Sequence, residues 1–330
     1  MPFWKTTWFR VTLGTLVSAV FLYLALRDVP LLEVAQALAR ANYGWVAIAT
    51  VAMVLQSWLR TVRWIRLFYP LHKGLNLWRM FGIVLVAQML NIVAPWRLGD
   101  LARVYLAGEM GQRSKAQTLA TLGTEKIFDT LMMLVLLLGI PAFMTLPSNL
   151  EKPREGFIVL SAILFAAAAA LIVLGDWLLG LLRRIPISAW RRFLDTHGAL
   201  ALGSLDVLKR WDMHLQLQAL SVAIYSLGVI VNYLTLQALG LELPWIASFL
   251  LLAVLLVGGF VPSSPGKVGV FQYLCIATLA LFGVDQSIGL AFGILLYLVA
   301  YGTPIVLGIL VLWWGGVSLK SIRAAQAEPR

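Results

Sequence analysis

A run of proline, serine, glycine and lysine interrupts the apolar sequence at residues 262–269. If Gly266 and Gly269 open a helix there, backbone amide groups and the positive end of the helix dipole face one point, an arrangement that binds phosphate or carboxylate. Lys267 adds a full positive charge, and two serines add hydroxyl donors. The run therefore predicts a binding site for an anionic group, composed of Ser263, Ser264, Gly266, Lys267, Gly269 and Gln272.

A second interruption, at residues 91–103, places arginines next to proline and glycine. Arg97 and Arg103 offer planar guanidinium groups, which match the oxygens of a phosphodiester. The alternative is that these arginines extend to the cytoplasmic interface and bind no ligand. Asp100 has a comparable alternative, because its carboxylate can cap the following helix. The predicted binding residues of this interruption are Asn91, Pro95, Arg97, Gly99, Asp100 and Arg103.

Two acidic residues, Glu125 and Asp129, lie four positions apart at the start of an apolar run, and hence on one face of a helix. Like charges in this position repel each other unless they share a cation, an arginine or a proton. The sequence offers Lys126, Arg97 and Arg103 as partners. Two interpretations stay open, a buried ion pair that fixes the neighbouring hairpin and a site for ion or proton coupling.

The composition is that of a membrane protein. The 330 residues are 61% hydrophobic and 12% charged, with a mean hydropathy of +0.87. A soluble domain carries about 25% charged residues, so an ordinary soluble enzyme is excluded and an all-α polytopic membrane protein is predicted. The net charge of +11 is typical of cytoplasmic loops beside anionic headgroups and disfavours nucleic-acid binding. With a single cysteine and three scattered histidines, neither a disulfide nor a metal or cofactor site is expected.

The apolar runs indicate which elements position these residues. They predict about six full transmembrane helices and two re-entrant helical hairpins, with eight plain spans as the alternative. Each hairpin has a short apolar arm that ends at one of the two interruptions. Paired broken helices in corresponding positions indicate an inverted repeat with a substrate site near the bilayer midplane. The six full helices are predicted at residues 11–26, 43–64, 123–146, 156–179, 215–239 and 288–314.

The predicted organisation is a single integral membrane domain over residues 1–330. Basic residues follow the second and the last span, so the positive-inside rule places both termini in the cytoplasm. The expected location is the cytoplasmic (inner) membrane of a bacterium or archaeon. The parts of the domain are a first half at 1–180 with a cytoplasmic-side hairpin at 77–113, a basic amphipathic interfacial segment at 183–212, and a second half at 213–320 with a hairpin at 245–282.

Residues of both interruptions and of the acidic pair occur in an order that resembles a known family, the lysylphosphatidylglycerol synthase transmembrane region or flippase-like domain family. The resemblance extends over about residues 45–314 and rests on Asn91, Pro95, Arg97, Gly99, Asp100, Arg103, Glu125, Lys126, Asp129, Pro262, Pro265, Gly266, Gly269, Val270 and Gln272. It implies a multi-span helical bundle with re-entrant helices, and a role in moving a polar lipid between leaflets.

Some positions depart from the family pattern. Asp100 stands where the family often has glutamate, which keeps the charge. Gln272 stands where glutamate is common, so a carboxylate is absent at that position. Lys267 replaces a residue that is often small, which could alter the choice of headgroup. The bifunctional synthases of the family also carry a cytosolic aminoacyl-transferase domain, and lipid lysylation is not expected from this chain alone.

We therefore expect a lipid flippase or scramblase that holds a polar, anionic headgroup between the two interruptions while the acyl chains stay in lipid. Transport rather than enzyme catalysis is expected. Because no nucleotide-binding motif is present, the lipid moves downhill or is coupled to an ion gradient through Glu125 and Asp129. A membrane-embedded lipid-modifying enzyme and a non-catalytic membrane subunit of a lipid or glycan synthase stay open as alternatives. The expected partner is an anionic membrane lipid and not nucleic acid, while a homo-oligomer or a synthase partner is left open.

Overall fold

The structure is a computed structural model, and helices are the regular elements of the residues that it describes, as predicted. These residues are 7–27, 29–69, 72, 74–94, 98–110, 115–143, 211–261 and 263–314. The predicted span at 156–179 and almost all of the basic segment at 183–212 lie outside them. The helices up to the first long gap are α1 (Thr7–Leu26), α2 (Leu31–Arg40), α3 (Tyr43–Arg66), α4 (Leu77–Val93), α5 (Leu98–Met110) and α6 (Lys115–Phe143).

The described helices after that gap are α7 (Trp211–Ala238), α8 (Trp245–Gly258), α9 (Val270–Ala280), α10 (Gln286–Tyr297) and α11 (Thr303–Trp313). Among them, α8 and α9 are the two short apolar helices on either side of the interruption at residues 262–269. A single 3-10 turn, Pro265–Lys267, separates α8 from α9. A π-helical turn, Leu298–Gly302, joins α10 to α11, so these two helices form one long helix with a local widening.

Three helices of the described residues are long and apolar enough to cross a membrane. They are Tyr43–Arg66, Asp212–Ala238 and Gln286–Trp313, each of which coincides with a predicted span. A fourth candidate exists if α1 and α2, which meet at an angle of 81°, are one broken span. The chain is therefore an all-helical membrane protein, while the number of six spans and the re-entrant course of either hairpin stay predictions.

Helix α2 was not predicted from the sequence. It is a ten-residue amphipathic helix that buries Val34, while Leu31 and Leu32 are exposed. Glu33 accepts a hydrogen bond from the hydroxyl of Ser287 on α10, at 2.8 Å. A helix of this length depends on packing rather than on its own propensity, and such packing is not visible in a local pattern.

The chain divides into two compact units. The first unit comprises Met1–Ser57, Leu85–Gly99 and Ser226–Trp314, and the second comprises Trp58–Val84, Asp100–Tyr225 and Gly315–Arg330. In the first unit, α9 packs against α1, α8 and α10, and α2 packs against α10. The core around α9 includes Phe271, Phe292 and the fully buried Cys275. Among the described residues of the second unit, Trp64 and Phe128 are the largest buried apolar side chains.

Within the first unit, small residues let α1 approach the segment between α8 and α9 closely. A Cβ atom added to Gly14 would lie 2.9 Å from the Ser263 carbonyl oxygen. One added to Gly269 would lie 2.5 Å from the Ser18 carbonyl oxygen. The backbone N–H of Ser264 donates a hydrogen bond to the Ser18 hydroxyl at 2.8 Å. The first helix therefore holds the interruption through close backbone contacts and through the Ser18 hydroxyl.

Candidate functional site

The interruption between α8 and α9 lies where the sequence places it, and its backbone has an unusual conformation. Gly266, Lys267 and Gly269 have φ angles of 78°, 54° and 89°. Lys267 is the one residue other than glycine with a positive φ in the part of the chain that the structure describes. Such a conformation costs free energy in a residue with a Cβ atom and persists only when the surroundings hold it.

Side chains satisfy the backbone oxygens around this turn. The Lys267 Nζ donates a hydrogen bond to the Gly259 carbonyl at 3.2 Å, near the end of α8. The Tyr297 hydroxyl donates a hydrogen bond to the Gly266 carbonyl at 2.9 Å. Irregular backbone inside a bilayer needs such partners because lipid offers none. The turn therefore combines a positive charge with polar groups that the protein itself holds in place.

Two predicted ligands of this interruption have structural partners. The Gly269 N–H donates a hydrogen bond to the Gln272 Oε1 at 2.8 Å, so the Gln272 side chain caps the start of α9. The Ser264 N–H is bound to Ser18, as described above. Ser263 and Ser264 are half-buried. A role of these residues in binding a substrate stays a prediction, and fewer backbone amide groups are available to an anion than the sequence suggested.

Aromatic residues that sequence reasoning did not select lie beside this turn. The rings of Tyr297 and Tyr301 stack with their centroids 4.8 Å apart. The Phe271 ring meets both of them edge-on, at 5.5 and 5.3 Å. Tyr301 belongs to the π-helical turn, an element that is frequent at functional sites. The aromatic group places the Tyr297 hydroxyl on the Gly266 carbonyl and so connects α10 to the interruption.

The first interruption is described only in part. Helix α4 ends at Val93 and α5 begins at Leu98, while Pro95 and Arg97 lie outside the described residues. A Cβ atom at Gly99 would overlap the Ala87 carbonyl oxygen and would lie 2.7 Å from the Asn91 side chain. Gly99 is therefore required for the close contact between the start of α5 and α4, which is a structural role.

In the second unit, the structure brings the acidic pair together with two arginines. The Arg63 Nη2 lies 2.7 Å from the Asp129 Oδ1 and 3.3 Å from the Glu125 Oε1. The Arg103 Nη2 lies 2.8 Å from the Glu125 Oε2. The Arg63 side chain is 0% exposed and that of Glu125 is 5% exposed. We call Arg63, Arg103, Glu125 and Asp129 the ionic cluster.

Polar and aromatic neighbours surround the ionic cluster. The Arg63 Nη1 donates a hydrogen bond to the Ser221 hydroxyl at 3.0 Å. The Tyr225 hydroxyl donates a hydrogen bond to the Asp129 backbone carbonyl at 3.3 Å. The Arg103 guanidinium lies 4.1 Å from the centroid of the Trp64 ring, a distance typical of a cation–π contact. Buried charges are tolerated when they are paired and hydrogen-bonded in this way.

The ionic cluster bears on the two interpretations of the acidic pair. Both carboxylates have guanidinium partners, the arrangement expected of a buried ion pair, and the coupling role of Glu125 and Asp129 stays a prediction. Arg63 was not among the partners that the sequence suggested, because it lies in the basic last turn of α3, where positive charge is ordinary at a cytoplasmic helix end. Of the suggested partners, Lys126 lies 3.6 Å from the Asp100 carboxylate, with its side chain 48% exposed.

In the described ranges, no group of three or more histidine, cysteine, aspartate or glutamate side chains is placed to hold a metal ion. The charged centres of the two units are therefore built from lysine, arginine and carboxylates, with hydroxyl and carbonyl groups as their neighbours.

Three of the described helices are long and apolar enough to cross a membrane, and charged side chains lie buried among the helices. These features define an integral membrane protein with polar centres inside it. The sequence model of the lysylphosphatidylglycerol synthase TM region matches residues 11–308. The chain belongs to this family, as the ordered motifs predicted.

Two relatives are similar over most of this chain. The protein named glycosyltransferase AglD from Haloferax volcanii is 25% identical over 359 aligned residues, which cover 97% of this chain and 57% of that protein. The chain thus spans little more than half of the length of this relative. A UPF0104 membrane protein from Methanothermobacter thermautotrophicus is 23% identical, over 87% of this chain and 90% of that protein.

Proposed function

We propose that this protein moves a polar, anionic lipid between the leaflets of the cytoplasmic membrane of a bacterium or archaeon, as a flippase or scramblase. The observation that carries the proposal is the interruption between α8 and α9. It places Lys267 and irregular backbone between α8 and α9, which are 14 and 11 residues long and consist mainly of apolar residues. Membership of a membrane family whose name refers to a lipid product supports the same class of substrate.

Lys267 supplies the chemistry that the proposal needs. Its ammonium group donates a hydrogen bond to the Gly259 carbonyl at 3.2 Å. A hydrogen bond to a charged oxygen is about twice as strong as one to a neutral group. An anionic headgroup can therefore replace the Gly259 carbonyl as the partner of Lys267 while its acyl chains stay in lipid.

The other predicted binding residues take part in this proposal in different ways. Gly266 and Gly269 shape the turn that presents Lys267, and Gln272 stabilises the helix that follows it. Arg103 is held by Glu125 and Trp64 in the ionic cluster, so we propose Lys267 rather than Arg103 as the main contact of the headgroup. Because both carboxylates of that cluster have arginine partners, we propose downhill movement of the lipid.

Reconstitution tests the proposal. The purified full chain is inserted into liposomes that contain fluorescent phosphatidylglycerol or a fluorescent prenyl phosphate, and the loss of inner-leaflet signal to an external reductant is followed. We expect faster loss than in protein-free liposomes for at least one of the two lipids. Unchanged rates for both lipids would contradict transport.

The variant Lys267→Ala connects the activity to the turn. Loss of a charge-assisted hydrogen bond of about 1.5–3 kcal/mol predicts a rate lower by about tenfold or more. Arg40→Ala is a matched control, because Arg40 is an exposed cation of the same unit at the end of α2. Equal rates in the two variants would show that Lys267 does not contact the lipid.

A second candidate function is a membrane subunit of a glycan or lipid synthase. The similarity to a longer protein named as a glycosyltransferase favours it. Under this proposal the tagged chain co-purifies with a synthase in a fixed ratio. Replacing Arg191 and Arg192, which belong to the basic segment at 183–212, with glutamine reduces that ratio. A chain that is isolated alone from mild detergent, with full transport activity, would argue against this candidate.

A further inference from the structure

Helix α3 carries a second arginine, Arg60, three residues before Arg63 and hence on the same side of the helix. Arg60 is half-buried, and its Nε atom is buried without a hydrogen-bond partner in the part of the chain that the structure describes. No carboxylate of the described residues pairs with Arg60. The Nε atoms of Arg63 and Arg103 also lack a partner, so what distinguishes Arg60 from these two arginines is that they have carboxylate partners and it has none among the described residues.

The charges around Arg60 do not sum to zero. In the ionic cluster, two arginines balance the carboxylates of Glu125 and Asp129. Arg60 lies next to this cluster, because it precedes Arg63 by three residues on α3 and so leaves the helix on the same side. The described part of this centre therefore holds one positive charge in excess.

The size of this excess selects the charge of a ligand. A phosphodiester carries a single negative charge, which would leave the centre neutral. A phosphomonoester carries about −1.5 to −2 at pH 7 and would leave a negative excess. The planar guanidinium presents parallel N–H groups that match two oxygens of a phosphate, so Arg60 can bind a phosphodiester through two hydrogen bonds.

We propose that Arg60 is a second binding residue, distinct from Lys267: it binds a singly charged phosphodiester beside the ionic cluster and makes the protein selective for headgroups with one negative charge. This inference rests on the proposed function in so far as the phosphodiester is that of a transported lipid. The same chemistry occurs in soluble glycerophosphodiesters, so the experiment separates the two sources.

The experiment measures binding without transport. The full chain in a non-ionic detergent is titrated with dihexanoyl phosphatidylglycerol, and binding is followed by calorimetry in the wild type and in Arg60→Gln and Arg60→Lys. We expect Arg60→Gln to weaken binding by about tenfold or more, and Arg60→Lys to restore it in part, since lysine keeps the charge but not the planar pair of donors. Thermal unfolding followed by circular dichroism identifies variants that fail to fold.

Arg66→Gln is the matched control. Arg66 follows Arg63 by three residues on α3, is exposed, and has a neutral hydrogen-bond partner, the Gln216 Oε1 at 3.5 Å. We expect it to bind the probe as the wild type does. If Arg60→Gln folds and also binds as the wild type does, or if Arg66→Gln weakens binding equally, the assignment of Arg60 is overturned.

Further probes identify the source and the charge of the ligand. Glycerophosphoglycerol, which lacks acyl chains, is expected to bind more weakly than the lipid but with the same dependence on Arg60; equal affinity would assign the site to a soluble phosphodiester. Tighter binding of inorganic phosphate than of either diester would overturn the charge argument.

The outcomes for the Arg60 site and for the proposed function can be told apart. If Arg60→Gln loses binding and the wild type transports no lipid, the proposed function is refuted and the Arg60 site is retained. Unchanged binding with active transport would refute the site alone.

Discussion

The turn between α8 and α9 and the ionic cluster both place charge among apolar helices, and they do so by opposite means. The turn holds the cation of Lys267 on a neutral backbone oxygen, with glycines and an aromatic group around it. The ionic cluster holds the cation of Arg63 on two carboxylates. The backbone oxygen that Lys267 binds can be replaced by an oxygen of a ligand, whereas the charge of Arg63 is balanced by its carboxylate partners. The first arrangement favours binding, and the second favours structure.

Substitutions in the ionic cluster should therefore lower the free energy of unfolding more than substitutions at the turn. Removal of one member of a buried ion pair leaves an uncompensated charge in a medium of low dielectric constant, which is strongly destabilising. Changes at the turn alter backbone strain and single hydrogen bonds, which contribute less. Three variants, in order of decreasing expected effect on the free energy of unfolding, examine this difference.

Arg63→Ala should have the largest effect. It leaves the carboxylates of Glu125 and Asp129 with one arginine fewer, so we expect a loss of about 3–5 kcal/mol in the free energy of unfolding. The measurement is an SDS titration in mild detergent, followed by circular dichroism. Arg66→Ala, at the exposed end of the same helix, is the control and should shift the curve little. Superimposable curves for the two variants would mean that the ionic cluster does not stabilise the second unit.

Gly269→Ala should have an intermediate effect. Its φ of 89° is strained for alanine, and the new Cβ would lie 2.5 Å from the Ser18 carbonyl oxygen. We expect a loss of about 1–3 kcal/mol, measured by the same titration. Gly283→Ala separates the two causes, because Gly283 has a φ of 75° but no atom within 4 Å of the added Cβ. If Gly269→Ala and Gly283→Ala lower the free energy of unfolding equally, the contact between α1 and the turn does not contribute to stability.

Tyr297→Phe should have the smallest effect. It removes the hydroxyl that binds the Gly266 carbonyl and keeps the ring stacked on Tyr301, so we expect a loss of about 0.5–1.5 kcal/mol. Tyr301→Phe is the matched control, since the same ring stack is kept and the bond to Gly266 is untouched. A larger loss in the control than in Tyr297→Phe would disprove the role assigned to the Tyr297 hydroxyl.

The sequence predicts local features of this molecule well and distant contacts poorly. The interruption at residues 262–269 is visible because proline and glycine act on the backbone of their own segment. Helix α9 begins directly after it, at Val270, whereas α8 already ends at Gly258. The shared face of Glu125 and Asp129 follows from helical spacing. Arg63 lies 62 residues before Glu125, and their pairing depends on how α3 packs against α6. The positive-inside rule describes that arginine only as a charge near a helix end, and so its partners were missed.

The aromatic group illustrates the same limit. Tyr297 and Tyr301 read as ordinary residues of an apolar span, and nothing in their spacing shows that Phe271, on another helix, meets both rings. The aromatic group stabilises the turn through the Tyr297 hydroxyl, which donates a hydrogen bond to the Gly266 carbonyl. A backbone oxygen as partner cannot be predicted from a pattern of side chains.

The complete burial of Cys275, the single cysteine of the chain, makes site-specific labelling straightforward. A maleimide added to the folded protein has no exposed native thiol to attack, so a cysteine placed at Ser264 would be the reactive group. Reagents that cannot cross the bilayer, applied to either side in turn, would then report which aqueous phase reaches the turn, without removal of any natural residue from the core.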